Sequence, residues 1–195
     1  MTDETLMLAV RNGDRAKLAV LFERHHRSLY EYFCRMTGSR SAGEDLVQDV
    51  FVRILKYCHT YHGENGFKNW LYTIARNSRA TYFQNSAGET LLPEEEIVAL
   101  SDRSVSSAFA YRDPDVDTLR KALLSLDEDQ REILVLARYQ GMKYDEIAQL
   151  LNITTGSVKV RVHRAMNQLR DAFMKLSGER KPWNVQKLGN TLRII

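Results

Sequence analysis

Between Ser157 and Leu176 the chain carries Lys159, Arg161, Arg164, Arg170 and Lys175 against the single acid Asp171. Cations at that density along a helix bind phosphate. Val158, Val162, Ala165, Leu169 and Leu176 recur at the helical period and predict one buried stripe. Lys159, Val160, Arg161, His163, Arg164, Asn167 and Gln168 then face outward. A second chemistry lies upstream, where Tyr72, Arg76, Asn77, Arg79, Thr81 and Tyr82 interleave aromatic, basic and amide groups. Single-stranded DNA asks for that mixture, faces for bases to stack on and cations for the backbone, and the alternative is that the aromatics are core and the arginines solvated. A third set is acidic. Asp45, Gln48 and Asp49, with Arg53 and Lys56, form the polar face of a helix whose wide apolar face is Leu46, Val47, Val50, Phe51, Ile54, Leu55 and Cys58.

The elements that position the basic set are two short helices. Tyr144 to Leu151 places Ile147, Ala148 and Leu151 inward, Asn152 falls where a turn needs left-handed backbone, and Thr154 is placed to cap the next helix. Two helices joined so tightly form a helix-turn-helix, whose second helix can enter a DNA major groove. A solvated basic helix in an ordinary bundle shares the two-helix pattern, and the basic bias with the short turn favours DNA.

Upstream, Thr2 to Asn12 reads as a first helix closed by Asn12-Gly13, with Asp14 placed to cap the second. Leu18, Leu21, Phe22, Leu29, Phe33 and Met36 form the second helix's core stripe as far as Thr37-Gly38. Ser41 begins a third helix with the capping box completed by Glu44. After the loop Gly63 to Gly66, a fourth helix from Phe67 to Phe83 turns Phe67, Trp70, Leu71, Ile74 and Ala75 inward. From Asn85 to Asp117 periodicity fails, and Pro93, Pro114 and Glu94-Glu95-Glu96 predict a flexible acidic connector. Leu119 to Tyr139 is helical again through Leu123, Leu126, Ile133, Leu134 and Leu136, with Asp127 placed to cap a helix from Glu128 and Gly141 ending the run. The expected fold class is therefore all-α, with two small helical domains at 1–85 and 118–176, a linker at 86–117 and a tail at 177–195 that has no clear period.

Charge follows this division. The net balance is +3 over residues 1–85, −6 over 86–117 and +6 over 118–195, which makes up the +3 of the 195-residue chain. Nucleic acid is the natural partner of such basic blocks. Cys34 and Cys58 lie in helical patterns, so a reducing cytoplasm is the expected setting. The start MTDETLMLAV lacks a basic leader before an apolar core, and no apolar run approaches the roughly 20 residues of a membrane span. His25, His26, Cys58, His59 and His62 supply metal-ligating types at a spacing that matches no closed zinc pattern. Neither a nucleophile with its base nor a phosphate-cradling glycine loop is present, so the chain is expected not to be an enzyme and to need no cofactor, metal or small-molecule substrate.

Taken together, YEYFCRMTGSRSAGEDLVQDVFVRILKY with FKNWLYTIARN resembles the second conserved region of the extracytoplasmic-function (ECF) sigma factors of the sigma-70 family. LSLDEDQREILVLARYQGMKYDEIAQLLNITTGSVKVRVHRAMNQLR resembles their fourth. The resemblance covers about residues 4 to 176. It implies partners: core RNA polymerase, through its beta-prime clamp and beta flap, then promoter DNA and an anti-sigma factor. It implies that helix Ala42 to Tyr57 docks on the clamp helices through Asp45, Gln48 and Asp49, and that Trp70 to Tyr82 melts and holds the minus-ten element, with Asn77 where the family reads an extruded base. Lys159, Val160, His163 and Arg164 fall where the family contacts the minus-thirty-five element. Val160 and Met166 depart from a small polar residue and a frequent Arg there, and Lys143 stands where a Ser or Thr usually caps. A DNA-binding regulator of the response-regulator output type would account for 118–176 but leaves Trp70 to Tyr82 without a role.

Overall fold

The computed structural model describes residues 1–64, 66–86 and 114–178. Most of the expected connector, and the tail beyond Gly178, lie outside them. Among the described residues every regular element is helical. The chain divides into two units, Met1–Cys34 with Ser39–Ser101, and Arg35–Gly38 with Asp102–Ile195.

The first unit contains α1 (Asp3–Arg11), α2 (Ala16–Thr37, without its last residues), α3 (Arg40–Tyr57), a 3-10 turn (Cys58–Thr60) and α4 (Phe67–Ser86). Leu6, Met7 and Val10 bury one face of α1, and Gly13 ends it at φ +104°. On its other side α1 is tied down by charge. The Asp3 carboxylate receives Arg24 and His25 at 2.7 Å each. Burial pushes the Asp3 pKa up, but the hydrogen bonds from Arg24 and His25 outweigh it and leave the group below its usual value.

Within the first unit α2 buries Leu21, Leu29, Tyr32 and Phe33, whereas Phe22 is 37% exposed, stacked on His26 with centroids 4.8 Å apart. α3 starts earlier than the S-x-x-E pattern predicts. Ser39 is the cap, its hydroxyl accepting from the Ala42 N–H at 3.3 Å. Ser41 is already in the first turn, so Ser41 and Glu44 form no capping box of their own. Gly43 permits close packing of α3 on α2: a Cβ there would lie 2.9 Å from Cys34 Sγ and 3.3 Å from the Tyr30 ring. The apolar face of α3 is narrower than expected, since Leu55 is 41% exposed.

The second unit's helices are α5 (Pro114–Leu124), α6 (Glu128–Leu134) with a π-helical turn (Val135–Tyr139), α7 (Tyr144–Leu151) and α8 (Thr155–Ser177). α5 begins inside the expected connector. Proline loses nothing at a helix's first position, where the N–H has no partner anyway, and Asp115 and Asp117 suit the positive end of the helix dipole. Asp127 occupies the N-cap position of α6, without a side-chain hydrogen bond.

Candidate nucleic-acid interface

α8 is held on three sides, by α5, α6 and α7. Val158, Val162, Ala165 and Leu169 are buried as predicted, but the stripe ends on Phe173 at 3% exposure, while Leu176 is 53% exposed. The 23 residues of α8 span about 35 Å. Leu176 keeps the period but stands at the surface, lining the same open recess as Ser125, Leu126 and Asp127.

The turn before α8 is built as its residues require. Asn152 sits at φ 52°, ψ 49°, in the left-handed region, which asparagine tolerates because its short polar side chain bonds locally. The Ile153 N–H reaches back to Ala148 O at 3.0 Å. Thr154 Oγ1 accepts from the Ser157 N–H at 3.1 Å, the expected cap. At the other end of the motif Glu146 accepts from the Lys143 N–H at 2.8 Å, so half of the reciprocal capping arrangement survives without a hydroxyl at 143.

This scaffold leaves Lys159, Val160, Arg161, His163 and Arg164 exposed along one side of α8, with Val160 at 50%. Asn167 is half-buried, its amide nitrogen 3.4 Å from His163 Nδ1. Thr155 and Gly156, also exposed, begin the same helix one turn before Lys159 and Val160. Neither residue type carries a cationic or apolar signal in the sequence, although a cap at Thr154 puts both in the first turn.

α4 sorts its residues differently. Asn77 is exposed, and Arg76, Thr81 and Tyr82 are half-buried. Tyr72 and Arg79 do not join that face: they are 2% and 5% exposed. Seven residues turn a helix within about 20° of its starting direction, so both point to the same place, the Tyr32 ring of α2. Tyr72 meets that ring edge-on at 5.3 Å and pairs with Ser28 at 3.2 Å, and Arg79 Nη1 donates to Tyr32 Oη at 3.4 Å. The expectation that Tyr72 and Arg79 offer a stacking plane and a backbone cation is corrected: they are interior groups that hold α4 on α2. Phe83, 44% exposed and in ring contact with Tyr82, is a further outward aromatic beyond the interleaved set.

The start of α4 is fixed by α1. Glu4 accepts from the Phe67 N–H at 3.4 Å, and Arg11 donates to Tyr61 O at 2.9 Å. The Glu4 pKa is lowered by backbone hydrogen bonding against the opposing effect of burial. The Tyr61 ring packs at a steep angle on Phe67 and Trp70 beneath, and burial together with the Glu4 and Asp3 charges pushes the Tyr61 phenol up. On α3, Asp45 and Gln48 are exposed, while Asp49 is ion-paired to Arg53 at 2.6 Å. The histidines go separate ways, His25 to Asp3, His26 to Phe22 and His62 to Arg11. Among the described residues no three His, Cys, Asp or Glu gather as a metal set, and no helix is long and apolar enough to cross a membrane.

Comparison with known proteins fits this geometry. Residues 21–87 match the family model for sigma-70 region 2, and residues 117–169 that for sigma-70 region 4. The RNA polymerase sigma factor YlaC of Bacillus subtilis is 25% identical over 86% of this chain and 98% of its own length. The ECF RNA polymerase sigma-E factor of Haemophilus influenzae is 27% identical over 90% and 97%. A solved structure of the sigma factor RpoE with the anti-sigma factor NepR, from Bartonella quintana, shares the fold at TM-score 0.61 and 24% identity, covering 84% of this chain and 98% of that one. The matched regions take in both faces and more than half of the residues, and the chain belongs to the ECF group of the sigma-70 family of RNA polymerase sigma factors.

Proposed function

We propose that the chain carries its family's activity, promoter-directed initiation of transcription with core RNA polymerase, through three separate faces. The outer side of α8, with Lys159, Val160, Arg161, His163, Arg164 and Asn167, reads the minus-thirty-five element. Arg76, Asn77, Thr81 and Tyr82 hold the minus-ten strand once it opens, with Asn77 at an extruded base, while Tyr72 and Arg79 support them from within. Asp45, Gln48 and Asp49 dock on the beta-prime clamp, the beta flap is a second polymerase contact, and an anti-sigma factor restrains the free protein, as one accompanies RpoE in the solved complex.

The observation that carries this assignment is the outward exposure of Lys159 to Arg161 with His163 and Arg164, on a helix whose opposite stripe is buried against three others. Such a helix is free to enter a groove without rearrangement of its own unit. In vitro transcription with core polymerase and a promoter library tests the whole assignment. The expected result is selection of two elements at a fixed spacing. Selection of an upstream element by the chain alone, with no transcript and no binding to polymerase, would leave a simple DNA-binding regulator instead.

A further inference from the structure

Between α3 and α4, wholly within the first unit, lies a cavity of about 210 Å³. Asp45 and Asp49 of α3 line one side, one helical turn apart, and Ser78, Thr81 and Tyr82 of α4 line the other. Arg53 completes the wall and is already held by Asp49 at 2.6 Å, with 24% of its side chain exposed. The wall therefore accepts a guanidinium at one carboxylate, and Asp45 leaves one negative charge in excess. Thr81 Oγ1 is spent as a donor on Asn77 O at 3.0 Å, which leaves it only acceptor capacity. Ser78 is 1% exposed, and its hydroxyl has no hydrogen-bond partner. A buried hydroxyl without a partner is a standing cost, relieved by any group that brings a donor to it.

What the cavity lacks is thus one positive charge with several N–H donors and a flat face to lie against Tyr82. A guanidinium has five donors, no acceptor and a planar body that stacks on aromatic rings, whereas an ammonium is a compact point charge. We propose that this cavity is a binding site for an arginine side chain of a partner protein, recognised by Asp45, Asp49, the Ser78 hydroxyl and the Tyr82 ring. The proposal rests on the assignment of Asp45 and Asp49 to polymerase docking and names the chemistry of that contact. It adds Ser78 and Tyr82, residues on a helix otherwise assigned to DNA, so polymerase engagement and the strand-holding face share one wall.

Two measurements on the full-length protein test it. Ethylguanidinium chloride, titrated into isotopically labelled protein, should give saturable amide shifts at Asp49, Ser78 and Tyr82, with butylammonium chloride clearly weaker. Absent saturation, or equal response to the two cations, overturns the site. Ser78→Ala should melt at the same or a higher temperature, because the orphan hydroxyl is gone, yet bind core polymerase roughly tenfold more weakly. Unchanged polymerase affinity in Ser78→Ala, alongside lost binding in Asp49→Lys, overturns the arginine site and spares the docking assignment. Unchanged affinity in Asp49→Lys removes the docking assignment itself, whatever ethylguanidinium shows.

Discussion

α8 and α4 both carry basic residues among aromatic, apolar and amide ones, yet they divide them by opposite rules. In α8 the predicted outward residues stay outward, apart from half-buried Asn167, because the buried stripe Val158, Val162, Ala165, Leu169 and Phe173 is wholly apolar and needs no help from polar neighbours. In α4 the core takes Tyr72 and Arg79 out of the interleaved set and leaves the rest at the surface. α8, proposed to read duplex DNA, keeps its packing and its chemistry on separate faces. α4, proposed to hold a single strand, has its outward residues beside buried polar groups that set its position. The two helices therefore predict opposite outcomes for substitutions that look alike in sequence.

The largest expected effect separates core from surface in α4. Tyr72→Ala removes a buried ring and should cost about 3 to 5 kcal/mol of stability, whereas Tyr82→Ala, half-exposed, should cost far less. Chemical denaturation measures both, and equal small losses would return Tyr72 to the surface. Next comes Asn77→Ala. The variant should bind core polymerase and form closed complexes normally but give fewer open ones, since extruding a base costs a few kcal/mol that a fitted contact must offset. Permanganate reactivity of minus-ten thymines reads this directly, and unchanged reactivity removes Asn77 from the role.

The third effect lies within α8. Arg164→Ala should lose about 1 to 3 kcal/mol on the preferred upstream sequence and relax preference at one position, while Arg161→Ala should weaken all sequences alike and lower the salt dependence. Equal losses on specific and random DNA in both variants would erase that division.

How legible these regions were follows from what each signal measures. The helix-turn-helix could be located from Asn152 and Thr154, because a left-handed residue and an N-cap are local requirements that the sequence must meet in place. The core of α8 could be read by period as far as Leu169, but not its end, because Phe173 and Leu176 both fit the period and packing by other elements decides which of them is buried. In α4 the seven-residue separation of Tyr72 and Arg79 was visible, and it puts them on one face. Residue type suggested nucleic acid and outweighed the period, and the Tyr32 hydroxyl that receives the buried arginine lies 47 residues upstream of it, in α2. The α3 cap moved from Ser41 to Ser39 for a like reason: both serines precede a helical run, and Gly43 packing against Cys34 and Tyr30 fixes where that run lies.

The smallest predicted effect compares the two caps of the helix-turn-helix. α8 begins on the Thr154 hydroxyl, bonded to the Ser157 N–H at 3.1 Å, while α7 begins on Lys143, which contributes only the N–H that Glu146 accepts at 2.8 Å. Thr154→Ala should therefore cost about 1 kcal/mol, the usual worth of a side-chain cap. Lys143→Ser should add a hydroxyl to a position whose backbone is already extended, at φ −69° and ψ 154°, and should stabilise by a comparable amount, about 0.5 to 1 kcal/mol. The outward face of α8 is untouched by both, so specific DNA affinity should change only as far as folding does. Paired melting and binding curves decide the matter. If Thr154→Ala weakens DNA binding well beyond its loss of stability, the first turn of α8, with Thr155 and Gly156, contacts the backbone itself, and the reading face begins a turn earlier than Lys159.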